Sequence, residues 1–144
     1  MINTPNIEQA KKLIKNSTEK TIIVKAQNNI FNRKILEYGK FNILLSIERG
    51  DRKDSLRQID SGLNNVLAKI AAKNHIALGI DLQEISQLEK KEKAEKLAKI
   101  RQNIKICRKT KTAIKILNAP TKQQAFSFLI SLGASTQQAK EAFE

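Results

Sequence analysis

Histidine and cysteine each occur once in this sequence, as His75 and Cys107, and tryptophan does not occur at all. A structural zinc site takes four Cys or His ligands and a catalytic one usually three protein ligands, a set that His75 and Cys107 alone do not supply. A lone cysteine also excludes a disulfide within the monomer and suits a reducing compartment. A carboxylate-only magnesium site would have to draw on Asp51, Asp54, Asp60 and Asp81, all four of which are expected to be solvated surface acid. Aromatic residues are scarce too: five Phe and one Tyr make 4% of the chain, leaving little for stacking on nucleic-acid bases. No apolar run approaches the ~18 residues that a membrane-spanning helix needs, and the polar start Met1 to Thr4 has no signal-peptide core. Together these absences predict a cytoplasmic protein with no membrane partner.

The scarcity that matters most is of acid. Against 27 Lys and Arg stand 14 Asp and Glu, a formal charge of +13 and a pI near 10.0. A folded domain so charged projects a positive field about a Debye length into solvent, and the natural partner of such a field is a polyanion. With 144 residues, 40% of them hydrophobic, the chain can bury one core but hardly two, which predicts a single domain over 1–144.

Apolar, β-branched runs alternate with helical patterns, as in repeated βα units on a parallel sheet. Four strands are expected, at Thr21 to Ala26, Phe41 to Ile47, His75 to Ile80 and Ala113 to Leu117, with His75 as a strand residue opening its apolar run. A helix from about Pro5, capped by Thr4, presents Ile7, Ala10 and Ile14 on one face. A second runs from Asn29 to Tyr38 and stops at Gly39. In the third, Ser61 is the expected cap and Leu63, Val66, Leu67, Ile70 and Ala71 form the apolar stripe. A long helical stretch from about Gln83 to Lys109, broken or bent near Glu89, carries Ala94, Leu97, Ile100, Ile104 and Cys107 as its buried stripe, with Cys107 as a small core residue. Two terminal helices, Thr121 to Leu132 and Ser135 to Phe143, join through Gly133.

Between Glu84 and Lys115 there are eleven Lys or Arg and four Glu, an excess of seven positive charges in less than a quarter of the chain. Pairs four residues apart, Glu89 with Lys93, Glu92 with Lys96 and Glu95 with Lys99, account for the first part of this stretch as a solvated helix. Arg101, Lys105, Arg108, Lys109 and Lys111 have no acidic neighbours in sequence, and a phosphate backbone explains them better. No nucleophile beside a base, and no glycine-rich phosphate loop, is present.

The segment SGLNNVLAKIAAKNHIALGI at 61–80 resembles the ribonuclease P protein component three family, the barrel-type subunit of archaeal and eukaryotic ribonuclease P. EYGKFNILLSIERGDR at 37–52, RQNIKICRKTK at 101–111 and SFLISLGASTQQAKEAF at 127–143 are similar to further family segments in the same order, so the resemblance covers about residues 20–143. It implies a βα barrel of which the first two units are missing here, hence an incomplete, TIM-barrel-like α/β sheet of about four parallel strands with flanking helices, open rather than closed. The family's Arg-x-Pro-x-Asp segment has no counterpart, since only Asn118-Ala119-Pro120-Thr121 follows the last strand. The resemblance further implies an accessory role in removing the 5′ leader from precursor tRNA: the RNA subunit carries out the hydrolysis with Mg2+, no cofactor is bound by the protein, and there is no catalytic residue in this chain. Implied partners are the ribonuclease P RNA, precursor tRNA indirectly, and a component-two protein subunit of ferredoxin-like fold.

The RNA-contacting residues expected from the match are Arg57, Lys69, Lys73, Arg101, Arg108 and Lys109, with Arg52 and Lys53 as exposed loop cations. Two other readings remain: a general or ribosome-associated basic RNA-binding protein, which charge alone fits equally, and a barrel-type metal-dependent hydrolase, which the lone His75 disfavours. A sheet of only four strands is also expected to leave an edge bare, for a second copy of this chain, a separately encoded N-terminal fragment or the component-two subunit to cover.

Overall fold

The computed structural model describes residues 1–48 and 60–143. Its elements run α1 (Ile7–Asn16), β1 (Ile23–Lys25), α2 (Asn29–Tyr38), β2 (Ile43–Leu45), α3 (Asn65–Lys73), β3 (Ala77–Asp81), α4 (Leu82–Ser86), α5 (Lys90–Thr110), β4 (Ile114–Leu117), α6 (Lys122–Ser131) and α7 (Thr136–Glu141). The strands form a parallel, open sheet in the order β1-β2-β3-β4, each joined to the next through helices. This is the α/β architecture that the alternation of apolar runs predicts.

Strand register sorts the side chains. Val24, Leu44, Leu78 and Ile114 line up across the sheet, and all four are buried in one apolar cluster with Ile35 and Leu36 of α2, Ala68 and Ala71 of α3, and Ile100, Ile104 and Cys107 of α5. The adjacent row, one residue on and therefore on the opposite face, reads Lys25, Leu45, Gly79, Lys115. Here Gly79 is required by close approach: a β-carbon built on it would lie 2.6 Å from Cγ2 of Ile43 and 3.0 Å from Cδ1 of Leu45.

Several local expectations are corrected. Asn6, not Thr4, caps α1, accepting from the amides of Glu8 and Gln9, while Thr4 is buried. Asn64, not Ser61, caps α3; Ser61 is buried three residues earlier, so Leu63 packs from the turn and Val66 is left 53% exposed. His75 is not a strand residue. It is exposed in the turn before β3 with φ of +57°. The interruption near Glu89, by contrast, is present as expected, as a break between α4 and α5. Ala94 is exposed because α5, at 21 residues, is about 31 Å long and overhangs the much shorter strands; Leu97 packs half-buried against the core, and full burial begins at Ile100.

The edges also differ from expectation. Ile2 bridges to Val24 in parallel, its amide donating to the Ile23 carbonyl and its carbonyl accepting from Lys25. At the other edge the Ile116 amide donates to the Ala142 carbonyl, and the Lys115 amine donates to that of Glu141 at 2.7 Å. Both outer strands therefore receive partners from the chain's own terminal segments, which removes part of the edge that a second chain was expected to cover.

Gly79→Ala is expected to lower stability by about 1–3 kcal/mol, because the sheet backbone and two branched neighbours fix the space. A denaturant midpoint shift that Ile43→Ala partly reverses in the double variant is the measurement; no loss in the single variant contradicts this packing.

Candidate nucleic-acid interface

α3 and α5 lie side by side, pinned by polar contacts at both ends of their seam. The Thr112 hydroxyl donates to the Ala68 carbonyl at 2.8 Å, and Asn103 and Gln102 donate to the Ser61 carbonyl and hydroxyl at 3.3 and 3.1 Å. Their exposed faces carry Lys69 and Lys73 on α3, four residues apart, and Arg101, Lys105, Arg108 and Lys109 on α5, with Arg101, Lys105 and Arg108 at i, i+4 and i+7 on one stripe. Among the described residues Lys69, Lys73, Arg101, Lys105 and Lys109 make no ion pair or side-chain hydrogen bond. Arg108 reaches sideways, donating to the Gly133 carbonyl in the α6–α7 turn at 3.3 Å. Five of the eight cations expected from the sequence, Lys69, Lys73, Arg101, Arg108 and Lys109, thus lie on one pair of packed helices, and Arg52, Lys53 and Arg57 lie outside the described residues.

The expected Glu–Lys pairs along α5 do not form. Lys96 instead turns inward to Glu84 of α4 at 3.1 Å, with side chains 12% and 28% exposed, and Glu84 accepts from the Ser46 hydroxyl at 3.4 Å. The partner that sequence spacing missed is twelve residues away and on another helix, where partial burial makes the attraction stronger than at a solvated i,i+4 pair.

Among the described residues no group of three or more His, Cys, Asp or Glu side chains is arranged to hold a metal. Asp81 is committed to structure: it caps α4 through the Gln83 and Glu84 amides and accepts from Asn118 at 3.0 Å. Asp60 accepts from the Gly62 amide at 3.1 Å, and Asp51 and Asp54 lie outside the described residues. None of the six aromatic rings is exposed: Phe31 and Phe41 are buried and the others half-buried. No described helix is long and apolar enough to cross a membrane.

This arrangement offers charge at fixed spacing and no stacking platform, which suits contact with a phosphate backbone. The fold is shared with a chain in the cryo-EM structure of archaeal ribonuclease P with mature tRNA. The likeness has a TM-score of 0.81 at 21% identity and takes in 98% of the present chain and 62% of the neighbour's. The chain thus spans less than two thirds of the length of that ribonuclease P neighbour. No protein-family model matches the chain, and no curated protein sequence does. What the ribonuclease P neighbour shares with this chain is the fold.

Cys107 is fully buried on the inner face of α5, and desolvation pushes its thiol up to about 12. The thiolate is the reactive form, so alkylation of the native protein is expected to be slow and to proceed only through unfolding, with labelling that accelerates in step with denaturant. Fast labelling in buffer contradicts this burial. Because the pKa is raised in the folded state, the stabilisation is whole below about pH 9 and declines as the pH climbs toward 12.

Proposed function

We propose that the chain is an RNA-binding protein subunit of an archaeal-type ribonuclease P, supporting the RNA that removes the 5′ leader of precursor tRNA. The observation that carries the reading is the shared fold with a chain of that complex, over 98% of this one, in a molecule whose packed helices α3 and α5 expose cations, Lys69, Lys73, Arg101, Lys105 and Lys109 among them, that pair with no acid among the described residues. The segments at 61–80 and 101–111 that resemble the component three family are the ones that build these two helices.

In this reading the protein's work is neutralisation. Lys69, Lys73, Arg101, Lys105 and Lys109 are placed against phosphates, release counterions, and let the RNA fold close at lower Mg2+, which the RNA holds. A second protein subunit of ferredoxin-like fold and precursor tRNA are partners that the family resemblance brings with it, and the cytoplasm is where they meet. Nothing in the reading assigns a bond-breaking step to a side chain of this protein.

Affinity for structured RNA is expected to fall steeply with salt. Replacing Lys69, Lys73, Lys105 and Lys109 together by Ala should lower the slope of log affinity against log salt by about four, one per lost phosphate contact. Replacing Lys12 and Lys15 of α1 serves as the control and should change it little. Equal slopes in the two variants, or salt-independent binding by the native chain, would remove this interface; co-purification of a ribonuclease P RNA separates the proposal from general RNA binding.

A further inference from the structure

The three helix-to-strand turns that enter β2, β3 and β4 share an unusual device. Each places a non-glycine residue in the left-handed region just before its strand: Lys40 with φ of +60°, His75 with +57° and Lys111 with +60°. Glycine adopts that conformation with no β-carbon penalty, and asparagine offsets the penalty through local hydrogen bonds of its short side chain, whereas other residues carry it. The first turn even has Gly39, at +69°, immediately before Lys40, and the second has Asn74 before His75. The residues in question are all basic or imidazole, and all are exposed.

Because β2, β3 and β4 are adjacent and parallel, these turns lie in a row along the N-terminal rim of the sheet, one per strand, at the inter-strand spacing of about 4.8 Å per step. The rim is concave there. His75 and Lys111 line a depression of about 600 Å³ together with Thr21, Asn42 and Lys115, and no Asp or Glu among the described residues lines it. Lys115 is already engaged with the Glu141 carbonyl. His75, Lys111 and Thr21 make no side-chain hydrogen bond or ion pair among the described residues, and the Asn42 amide uses only its oxygen, toward Ile22. Donors are therefore in supply with nothing to accept from them. Lys40 extends the row past Asn42, its amine lying 5.4 Å over the Tyr38 ring, which holds that side chain in place.

Position connects this rim to the flank already described. Ala72, at the end of α3, also lines the depression, and Lys111 closes α5 through its amide on the Cys107 carbonyl. A backbone crossing Lys73 and Lys109 on the two helix ends arrives at His75 and Lys111 without leaving the surface. We propose that Lys40, His75 and Lys111 form a second phosphate-binding site, on the N-terminal rim of the sheet, that receives the sugar–phosphate backbone of the same RNA as it wraps from the α3–α5 flank. This rests on the RNA-binding reading above and adds to it a second surface and a direction of travel. The ligand is a phosphodiester rather than a base, since Lys40 and Lys111 bring cationic donors to the rim while the two aromatic rings beside it are occupied: Phe143 packs half-buried against the core, and Tyr38 already stacks under lysine amines at 5.5 and 5.4 Å.

The backbone device supplies the test. Lys40→Gly, His75→Asn and Lys111→Gly each install a residue that tolerates positive φ, so the combined variant should keep or raise its thermal midpoint while losing both ammonium groups and the imidazole. With a short mixed-sequence RNA duplex as probe, its slope of log affinity against log salt should be smaller than the native one by about two, from the two lysines. His75, as the sole histidine, gives a single imidazole Hε1 signal in the proton NMR spectrum, and that signal should shift on saturation with the duplex. An unchanged slope in the folded variant, or an imidazole signal that does not move while the duplex is bound, overturns the rim site and leaves the α3–α5 flank standing. Loss of salt-dependent binding in the native chain sinks both, and so distinguishes failure of the function from failure of the site.

Discussion

Leu78–Asp81 pair with Ile114–Leu117 in parallel register, and parallel pairing obliges the chain to travel back through a helix before each strand can begin. For β3 that helix is α3 and for β4 it is α5, so the one ladder sets both helices on the same face and brings their C-terminal ends to the same rim. Their seam is then locked by groups that cannot be solvated there: the buried Thr112 hydroxyl on the Ala68 carbonyl, and the buried Asn103 amide on that of Ser61. The cations of both helices inherit a fixed relative position from contacts in which none of them takes part. A charged surface built this way is preorganised, because side-chain entropy is the only ordering left to lose on binding.

The terminal segments take part in the same economy of backbone groups. Ile2 and Ala142 stand at opposite ends of the chain, and each supplies backbone partners to one outer strand. A four-stranded sheet cannot close on itself as eight strands do, yet it can blunt each edge with a short segment. Truncation at either end would bare polar groups on the outer strand as well as remove contacts.

Charge on this molecule divides by depth. At the overhanging first half of α5, Glu and Lys alternate in water, and the only ion pair among those residues is the one that finds a half-buried partner in Glu84. In the second half, where α5 meets the sheet, the inward positions are Ile100, Ile104 and Cys107 and the outward ones are cationic with no acid beside them. The helix that anchors the core therefore also presents its most concentrated positive charge, and core and surface functions are separated only by helical phase.

The sequence by itself determined the class of fold, the number and order of strands, the positions of the helices to within a few residues, and the excess of positive charge along α5. These follow from periodicity and composition, which are local and additive properties. Tertiary structure alone decided which cap holds each helix, since Asn6 and Asn64 displaced Thr4 and Ser61 once burial claimed the latter two. It decided that Lys96 pairs with Glu84 rather than Glu92, because the preferred partner is set by the local dielectric and not by spacing along the chain. It decided that both sheet edges are touched by the chain's own ends, a pairing across more than twenty residues that no local pattern carries. And it turned His75 from a strand residue into an exposed, left-handed turn residue, because a strand's first residue is fixed by where the preceding helix must stop to keep register with its neighbour.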